Sequence, residues 1–395
     1  MDITITPRKL CGSIRAIPSK SQAHRLLICA AFADKETVLQ CPETNQDIEA
    51  TVRCLQSLSA KITRTQKEYI VHPLTVVPAK AVLHCGESGS TLRFMLPIIG
   101  ALGVDTTFVL EGRLPYRPLS PLWEEMERNG CTLLRPTETT IHCSGQLRSG
   151  YYSIDGSVSS QFATGLLFAL ALLPGRNSLA VTGKIESKPY IEMTQDALLR
   201  FGVNIREFTV SATLPFSSPG NIEVEGDWSN GAFFLAANTM GNNVDINGLD
   251  PLSVQGDHAV KDILDKIATS EAIIDAADIP DLVPILSVAA AAKHGATFTN
   301  IRRLRLKESD RVASICKMLS QLGVAAEATE NTLRVHPAQF HGCIIDSAGD
   351  HRIAMSAAIA ATCADGPVTI LGARCVSKSY PAFWEEYSRL GGQYE

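Results

Sequence analysis

Six long runs of small and apolar residues recur along the chain, and each follows a short polar turn that contains Gly, Ser or Asp. Because the runs carry almost no polar positions, they are typical of helices that are buried on all sides. The residues of the preceding turns are those that cap a helix N-terminus well. The pattern therefore predicts buried helices at residues 24–32, 91–102, 161–173, 231–240, 282–292 and 352–363.

The polar turns begin near residues 19, 86, 156, 226, 281 and 350, and this regular spacing favours an internal repeat. An amphipathic helix is predicted between several of the buried ones. In one of them Val312, Ile315 and Leu319 follow a helical period that ends before Gly323. Short β-like runs follow such glycines at 131–134, 203–205 and 324–326. We therefore predict an α/β protein of two similar halves, each with three repeats, that meet near residue 225.

Composition bounds the possible functions. The chain has 395 residues, a formal net charge of −5 and 45% hydrophobic residues, which is typical of a globular protein of two or three domains. An acidic balance gives no support to a nucleic-acid-binding surface. The longest apolar stretch, 163–173, is shorter than the ~18–20 residues that span a bilayer. The N-terminus alternates like a strand and does not resemble a signal peptide.

The eleven cysteines are odd in number and form no C-x-x-C pair. This pattern favours free thiols in a cytoplasmic protein over a disulfide scaffold or a zinc site. No His cluster has the spacing of metal ligands. The sequence 86–91 lacks the lysine of a phosphate-binding P-loop, and no Ser/His/Asp nucleophile set stands out.

Cations occur at many of the predicted helix starts. Each cation taken alone is consistent with an ordinary solvent-exposed surface charge. Several cations that converge at one place repel each other unless an anion binds there. Helix N-termini favour anions, and arginine binds phosphate and carboxylate groups bidentately. We therefore expect a ligand with several negative charges. The cations are Lys20, Arg25, Arg93, Arg117, Lys188, Arg303, Lys307, Arg311, Arg352 and Lys378.

Two acids, Asp281 and Glu308, stand among these cations. Each fits a structural ion pair as well as it fits a proton-transfer group. His351 lies beside Asp350 and Arg352, where a capping role is as consistent with the sequence as a chemical one.

These segments together resemble one family, the 5-enolpyruvylshikimate-3-phosphate synthases. Residues 18–25 (PSKSQAHR) and 86–93 (GESGSTLR) resemble its first two signatures. Residues 117–119, 159–161 and 187–190 resemble three further binding segments. Asp281, residues 307–311 and 350–352, and Lys378 complete the set in the expected order, so the resemblance extends from residue 18 to residue 381.

The resemblance implies transfer of the enolpyruvyl group of phosphoenolpyruvate to the 5-hydroxyl of shikimate 3-phosphate, through a tetrahedral intermediate that releases phosphate. It implies catalytic roles for Lys20, Asp281 and Glu308. It implies that shikimate 3-phosphate is bound by Lys20, Ser21, Arg25, Ser159, Ser160, Gln161, Ser187, Tyr190, Asp281 and Lys307. It implies that phosphoenolpyruvate is bound by Lys20, Gly89, Arg117, Gln161, Arg311, Arg352 and Lys378.

The family fold implies two domains of three βαβαββ-type repeats around buried parallel helices, with the active site in the cleft between them. The expected domains are residues 14–223, and residues 1–13 with 224–395. The implied partners are the two small-molecule substrates alone, without nucleic acid or membrane, and no metal or organic cofactor is required. We expect a cytoplasmic monomer.

Two positions depart from the family pattern. Glu87 stands where many members carry Asn, and Arg303 stands where some members place Asn. Gly89 is retained at a position where a larger residue would crowd the phosphoenolpyruvate pocket. We therefore predict inhibition by glyphosate, competitive with phosphoenolpyruvate.

Two other functions compete with this one. UDP-N-acetylglucosamine enolpyruvyl transferases share the fold and the enol donor but carry a reactive cysteine on a mobile loop, and residues 112–117 contain none. A non-catalytic phosphometabolite-binding relative would not need Lys20, Asp281 and Glu308 together. Enolpyruvyl transfer to shikimate 3-phosphate is the favoured prediction.

Overall fold

A computed structural model describes residues 1–211 and 214–395 of the chain. These residues form two compact units. The amino-terminal unit comprises Pro18–Val224, and the carboxy-terminal unit comprises Met1–Ile17 with Glu225–Glu395. Each unit has its own hydrophobic core, built mainly from helices that are buried nearly all round.

The α-helices are α1 (Lys20–Ala31), α2 (Gln46–Ser57), α3 (Gly89–Leu102), α4 (Leu122–Arg128), α5 (Ser160–Leu172), α6 (Lys188–Arg200), α7 (Trp228–Thr239), α8 (Val260–Thr269), α9 (Val283–Ala291), α10 (Arg311–Gln321), α11 (His351–Ala361) and α12 (Phe383–Arg389). Short 3-10 helices lie at Leu114–Tyr116, Gly256–Ala259, Arg302–Leu306 and Ala373–Lys378.

The strands are β1 (Ile3–Thr6), β2 (Cys11–Arg15), β3 (Thr37–Gln40), β4 (Lys61–Arg64), β5 (Glu68–His72), β6 (Lys80–Gly86), β7 (Asp105–Leu110), β8 (Cys131–Thr137), β9 (Thr140–Gly145), β10 (Tyr151–Asp155), β11 (Arg176–Thr182), β12 (Asn204–Arg206), β13 (Thr209–Ser211), β14 (Asn221–Glu223), β15 (Asn243–Asn247), β16 (Ala272–Asp275), β17 (Ala296–Thr299), β18 (Ala326–Ala328), β19 (Thr332–Val335), β20 (Cys343–Asp346), β21 (Val368–Leu371) and β22 (Gln393–Tyr394).

The repeat is a four-stranded sheet with one arrangement. In the sheet β6-β7-β9-β8, the first two strands are parallel, and the last two form an antiparallel hairpin that folds back onto β7. The sheets β10-β11-β13-β12 and β16-β17-β19-β18 pair in the same way. A buried helix follows the first strand and an amphipathic helix follows the second, which confirms the predicted βαβαββ repeat.

Strands from the N-terminus and from the middle of the chain complete the remaining sheets. Strand β1 pairs with β21 and β22, and so supplies a hairpin strand to the last sheet. Strand β14 pairs in parallel with β3 and supplies the first strand of the sheet β14-β3-β5-β4. Strand β2 pairs in parallel with β15. The repeats of each unit are therefore closed by strands distant in sequence.

The six predicted buried helices are present as α1, α3, α5, α7, α9 and α11, so the predicted α/β architecture is confirmed. Five of them, all but α9, begin earlier than the apolar runs suggested, since Ser19, Ser88, Ser159, Asp227 and Asp350 each accept a backbone N–H as the cap. The polar turn residues Lys20, Gly89 and Ser160 therefore belong to the first turns. The strand expected at 324–326 begins only at Ala326.

The amphipathic helices α4, α6, α10 and α12 each end two residues before a glycine, as the sequence predicted. Gly130, Gly202, Gly323 and Gly391 have φ of 115°, 74°, 86° and 93°, a left-handed region that glycine enters without steric cost. No helix among the described residues is both long and apolar enough to cross a membrane.

Candidate active site

The amino-terminal unit gathers its predicted ligands at the starts of α1, α3, α5 and α6. Arg25 on α1 is 2% exposed, lies over the ring of Phe94, and donates hydrogen bonds to hydroxyl and carbonyl oxygens. Its Nε donates to Thr194 Oγ1 at 2.9 Å, and its two terminal nitrogens donate to the carbonyls of Ser21 at 2.5 Å and Tyr190 at 2.7 Å. Burial lowers the pKa of Arg25 to about 10. A cation among neutral oxygens would gain from a nearby anion.

Lys20 and His24 lie on the same first turns of α1. Lys20 Nζ donates to Asp47 Oδ2 at 3.0 Å, and the lysine side chain is 17% exposed. His24 is fully buried, with Nδ1 2.7 Å from Thr51 Oγ1. Burial lowers the pKa of His24 to about 3, so its ring is neutral at physiological pH. Lys20 is the only one of the two predicted to touch substrate.

The start of α3 brings a second group of residues together. A Cβ added to Gly89 would lie 2.7 Å from Nη1 of Arg117 and 3.0 Å from Nη1 of Arg93, so two guanidinium groups crowd this glycine. Arg93 donates to Gln161 Oε1 at 2.7 Å, and Gln161 Nε2 donates to Ser90 Oγ at 2.9 Å. Gly89, Arg117 and Gln161 were predicted for one ligand, and they lie side by side.

Serines define the remaining part of this unit's site. Ser159 caps α5 and accepts from the Gln161 N–H at 3.3 Å, while Ser160 opens the helix and is buried. Ser187 precedes α6 with φ of 56°, a left-handed conformation that is rare for serine. Such strain is concentrated at functional positions. Tyr190 presents its carbonyl to Arg25, as described above.

In the carboxy-terminal unit, Arg311 at the start of α10 binds three carboxylates. Its Nη1 is 2.6 Å from Asp281 Oδ1, its Nη2 is 2.6 Å from Glu308 Oε2, and its Nε is 2.8 Å from Asp350 Oδ2. Arg311 is 1% exposed. Burial alone would lower the pKa of Arg311, but Asp350, Glu308 and Asp281 together raise it well above its usual value.

Asp281 is shared by three cations. Besides Arg311, Arg352 Nη2 lies 3.3 Å from Asp281 Oδ2, and Lys307 Nζ lies 3.5 Å from Asp281 Oδ1. Burial would raise the pKa of Asp281, but Arg352, Lys307 and Arg311 hold it well below its ordinary value. Asp281 is therefore ionised at neutral pH. Burial also lowers the pKa of Lys307 to about 8, against the opposing attraction of Asp281.

Lys378 ends the 3-10 helix Ala373–Lys378 and is 9% exposed. Its charge and that of Asp350 both act on the half-buried Cys375 thiol, so it belongs to the same region of the unit. Arg303 is half-buried and acts electrostatically on Lys307. Glu87 packs against Gly112, where a Cβ would lie 1.5 Å from Glu87 Oε1.

Some residues of both clusters escaped the sequence reasoning. Asp350 was recognised only as part of a motif, yet it binds Arg311, accepts from Ser309 Oγ at 3.1 Å and caps α11. Asp47 and Thr194 had no signal in a single sequence, because a carboxylate or hydroxyl gains such a role only through a partner distant in the chain. The same holds for Asp257 in the carboxy-terminal unit, a buried carboxyl that accepts a hydrogen bond from Ser229 Oγ. Arg93 was noted as a cation but was not assigned to the site.

Comparison with known proteins gives a consistent result. The family model described as EPSP synthase (3-phosphoshikimate 1-carboxyvinyltransferase) matches residues 5–387. A 3-phosphoshikimate 1-carboxyvinyltransferase of Clostridium kluyveri is 37% identical over an alignment of 421 positions, which covers 100% of this chain and 98% of the relative. One of Clostridium acetobutylicum is 36% identical, covering 99% of this chain and 97% of the relative.

Solved structures agree on the fold. An EPSP synthase of Acinetobacter baumannii matches with a TM-score of 0.81 at 23% identity, covering 100% of this chain and 99% of that one. The enolpyruvyl transferase NikO of Streptomyces tendae matches with a TM-score of 0.75 at 16% identity, covering 100% and 98%. At these identities the likeness establishes the architecture alone.

Proposed function

The chain belongs to the EPSP synthase (3-phosphoshikimate 1-carboxyvinyltransferase) family, and from this premise we propose that it transfers the enolpyruvyl group of phosphoenolpyruvate to the 5-hydroxyl of shikimate 3-phosphate, with both clusters acting on this one pair of substrates. The observation that carries the proposal is the pair of carboxylates, Asp281 and Glu308, each 2.6 Å from the buried guanidinium of Arg311. A purely anion-binding protein has no need to hold two acids among its cations.

Asp281 is the base for the 5-hydroxyl in this proposal. Since three cations keep it ionised at neutral pH, it accepts the hydroxyl proton without first losing one of its own. Glu308 is 14% exposed and fixed by Arg311, so it is available as the group that exchanges a proton with C3 of phosphoenolpyruvate. Lys20 assists at the leaving phosphate.

The chemistry then follows a balanced course. Protonated Glu308 gives a proton to C3 of phosphoenolpyruvate as the 5-oxygen attacks C2, and the 5-hydroxyl proton passes to Asp281. In the tetrahedral intermediate a proton of C3 returns to Glu308 and the bond from C2 to the phosphate oxygen breaks. The departing phosphate takes up a proton from Lys20, and Asp281 releases its proton to solvent, from which Lys20 is reprotonated. Positive groups beside the leaving phosphate stabilise the charge that develops there.

The anionic substrates account for the remaining residues. In the proposal, shikimate 3-phosphate is bound by Lys20, Ser21, Arg25, Ser159, Ser160, Gln161, Ser187, Tyr190, Asp281 and Lys307. Phosphoenolpyruvate is bound by Lys20, Gly89, Arg117, Gln161, Arg311, Arg352 and Lys378. Arg311 serves phosphoenolpyruvate only if the anion competes with one of its three carboxylates. The proposed enzyme works as a cytoplasmic monomer on these two small molecules.

Phosphate release tests the function directly. The purified protein is mixed with phosphoenolpyruvate and shikimate 3-phosphate, with phosphoenolpyruvate and UDP-N-acetylglucosamine, and with phosphoenolpyruvate alone. We expect release only in the first mixture. Release only in the second would identify a UDP-N-acetylglucosamine enolpyruvyl transferase, and no release in any mixture would indicate a non-catalytic relative.

A further inference from the structure

A chain of four polar side chains, which we call the His24 chain, links α1, α2 and α3 inside the amino-terminal unit. His24 Nδ1 on α1 lies 2.7 Å from Thr51 Oγ1 on α2, and Thr51 Oγ1 lies 2.8 Å from Thr91 Oγ1 on α3. Thr91 Oγ1 donates to Ser88 Oγ at 2.8 Å. All four side chains are buried. The proposed chemistry uses none of them.

The protons of the His24 chain point toward α3. A hydroxyl group has one proton to donate. Because Thr91 gives its proton to Ser88, Thr91 Oγ1 accepts from Thr51, and Thr51 Oγ1 in turn accepts from His24 Nδ1. The ring of His24 is neutral, so its one proton is on Nδ1. In this tautomer the single N–H of the ring has an acceptor, as a buried donor requires.

The His24 chain ends at the first turn of α3. Ser88 caps this helix and accepts from the Thr91 N–H at 3.2 Å as well as from the Thr91 hydroxyl. Gly89 is the next residue, and a Cβ at Gly89 would lie 2.7 Å from Arg117 Nη1 and 3.0 Å from Arg93 Nη1. A small displacement of Ser88 therefore moves Gly89 against two guanidinium groups.

The other end of the His24 chain is on α1, one turn after Lys20. The ring of His24 also meets the ring of Phe94 on α3 edge-on, at a centroid distance of 6.2 Å. Apolar contacts alone would fill the space between these helices but would allow small shifts along their axes. A buried network whose members are all paired fixes one arrangement instead. The chain thus ties together the two helices whose first turns carry Lys20 and Gly89.

We propose that His24 is a positioning residue for phosphoenolpyruvate, which through Thr51 and Thr91 fixes Ser88 and so keeps the first turn of α3 where Gly89 and Lys20 bind one anion. This inference rests on the proposed function, in which both residues bind phosphoenolpyruvate. His24 itself touches no substrate. Shikimate 3-phosphate is also bound by residues at the starts of α5 and α6 in that proposal, so its binding should depend less on the His24 chain.

Thr51→Val tests the chain, because valine has nearly the shape of threonine but no hydroxyl. We expect the KM for phosphoenolpyruvate to rise about fivefold, the effect of one buried hydrogen bond, and the KM for shikimate 3-phosphate to change less than about twofold. Thr51→Ser keeps the hydroxyl and should restore the parent KM. Thr37→Val is the matched control, since Thr37 is a buried threonine of the same unit whose hydroxyl pairs with Ser218 at 2.7 Å instead.

A merely structural role for the His24 chain predicts a different result. It would lower the amount of active protein and hence kcat, or raise both KM values alike, and either outcome would overturn the inference. Equal KM values in Thr51→Ser and Thr51→Val would also overturn it, since the hydroxyl would then be irrelevant. If Thr51→Val fails to fold, Thr91→Val and Thr91→Ser make the same comparison at the next hydroxyl.

Two measurements separate this inference from the proposed function. If the parent shows no turnover, the proposed function fails, and calorimetric dissociation constants for phosphoenolpyruvate replace KM in the comparison of Thr51→Val with Thr51→Ser. Nitrogen-15 NMR of the histidine rings needs no turnover either. The His24 signals, assigned by their loss in His24→Asn, should show the proton on Nδ1, and a proton on Nε2 would overturn the inference even in an active enzyme.

Discussion

Arg25 of the amino-terminal unit and Arg311 of the carboxy-terminal unit are both buried arginines on helices, but their surroundings are opposite. Arg25 donates to hydroxyl and carbonyl oxygens of Thr194, Ser21 and Tyr190, and burial lowers its pKa to about 10. Arg311 binds three carboxylates, which raise its pKa despite burial. Arg25 has no negative charge among these partners, whereas Arg311 has three.

The surroundings of the two arginines indicate that the two clusters have different roles. A guanidinium among neutral oxygens is stabilised by an incoming anion, so the amino-terminal cluster is suited to bind phosphate or carboxylate. A guanidinium among carboxylates instead fixes the acids and sets their protonation states. Substitution of the acids that Arg311 holds should therefore alter mainly kcat, and substitution of the anion-binding arginines of the amino-terminal cluster should alter mainly KM.

Glu308→Gln should have the largest effect. The amide keeps the size and a hydrogen bond to Arg311 but cannot exchange a proton, so we expect kcat to fall by ~10³-fold with the KM for phosphoenolpyruvate changed by less than about threefold. Steady-state kinetics measures both. Asp310→Asn is the matched control, because asparagine can still cap α10 and accept from the Ala313 N–H. Equal losses in both variants would contradict a chemical role for Glu308.

Arg117→Ala should reverse this pattern. Removal of a cation next to Gly89 should lower kcat/KM for phosphoenolpyruvate by ~10²-fold, mainly through KM, since the charge serves the bound anion as much as the transition state. Arg113→Ala, in the same loop but exposed, controls for the general loss of positive charge. A fall confined to kcat would break the proposed division between the clusters.

The fold and the candidate site were predictable to different degrees. The buried helices and their caps are encoded locally, since an apolar run after Ser or Asp specifies a helix start within a few residues. The catalytic roles of Lys20, Asp281 and Glu308 were predicted from the resemblance to a family. The pairing of Arg311 with Asp350, 39 residues later, could not be predicted because it depends on how α10 and α11 pack.

The two units should also respond to pH in opposite directions. Burial lowers the pKa of His24 to about 3 from 6.5, so the unfolded chain binds a proton that the folded one does not. Acidification from pH 7 to pH 5 should therefore cost the amino-terminal unit about 2 kcal/mol. Burial raises the pKa of Asp257 to about 7 from 3.8, so the same change should stabilise the carboxy-terminal unit by about 2 kcal/mol.

Urea unfolding at the two pH values, followed by hydrogen exchange of peptides from each unit, measures how the free energy of unfolding of each unit changes with pH. In His24→Asn the amino-terminal unit should lose less stability on acidification than in the parent, and in Asp257→Asn the carboxy-terminal unit should lose its gain. His84→Asn, which replaces an exposed histidine, should leave the pH dependence of the free energy of unfolding unchanged in both units. If His24→Asn and Asp257→Asn each changed this pH dependence in both units alike, one shared property, and not these two groups, would set it.

Gly89→Ala should give the smallest effect and the sharpest view of the anion-binding cluster. The new methyl group would come within 2.7 Å of Arg117 Nη1 and 3.0 Å of Arg93 Nη1, so both guanidinium groups must shift. We expect the KM for phosphoenolpyruvate to rise about tenfold with kcat changed less, since the displaced charges weaken binding of the anion.

Glyphosate reports on the same space, because we expect it to compete with phosphoenolpyruvate in the parent protein and to inhibit Gly89→Ala more weakly. The matched control is Gly231→Ala on α7, where the added methyl group would meet the flexible side chain of Leu249 at 3.0 Å and no cation. Turnover of the parent that is unchanged at millimolar glyphosate would contradict the inhibitor prediction. An unchanged KM in Gly89→Ala would show that Arg117 and Arg93 can move without loss of binding, and the amino-terminal cluster would then owe its affinity to Lys20 and Arg25.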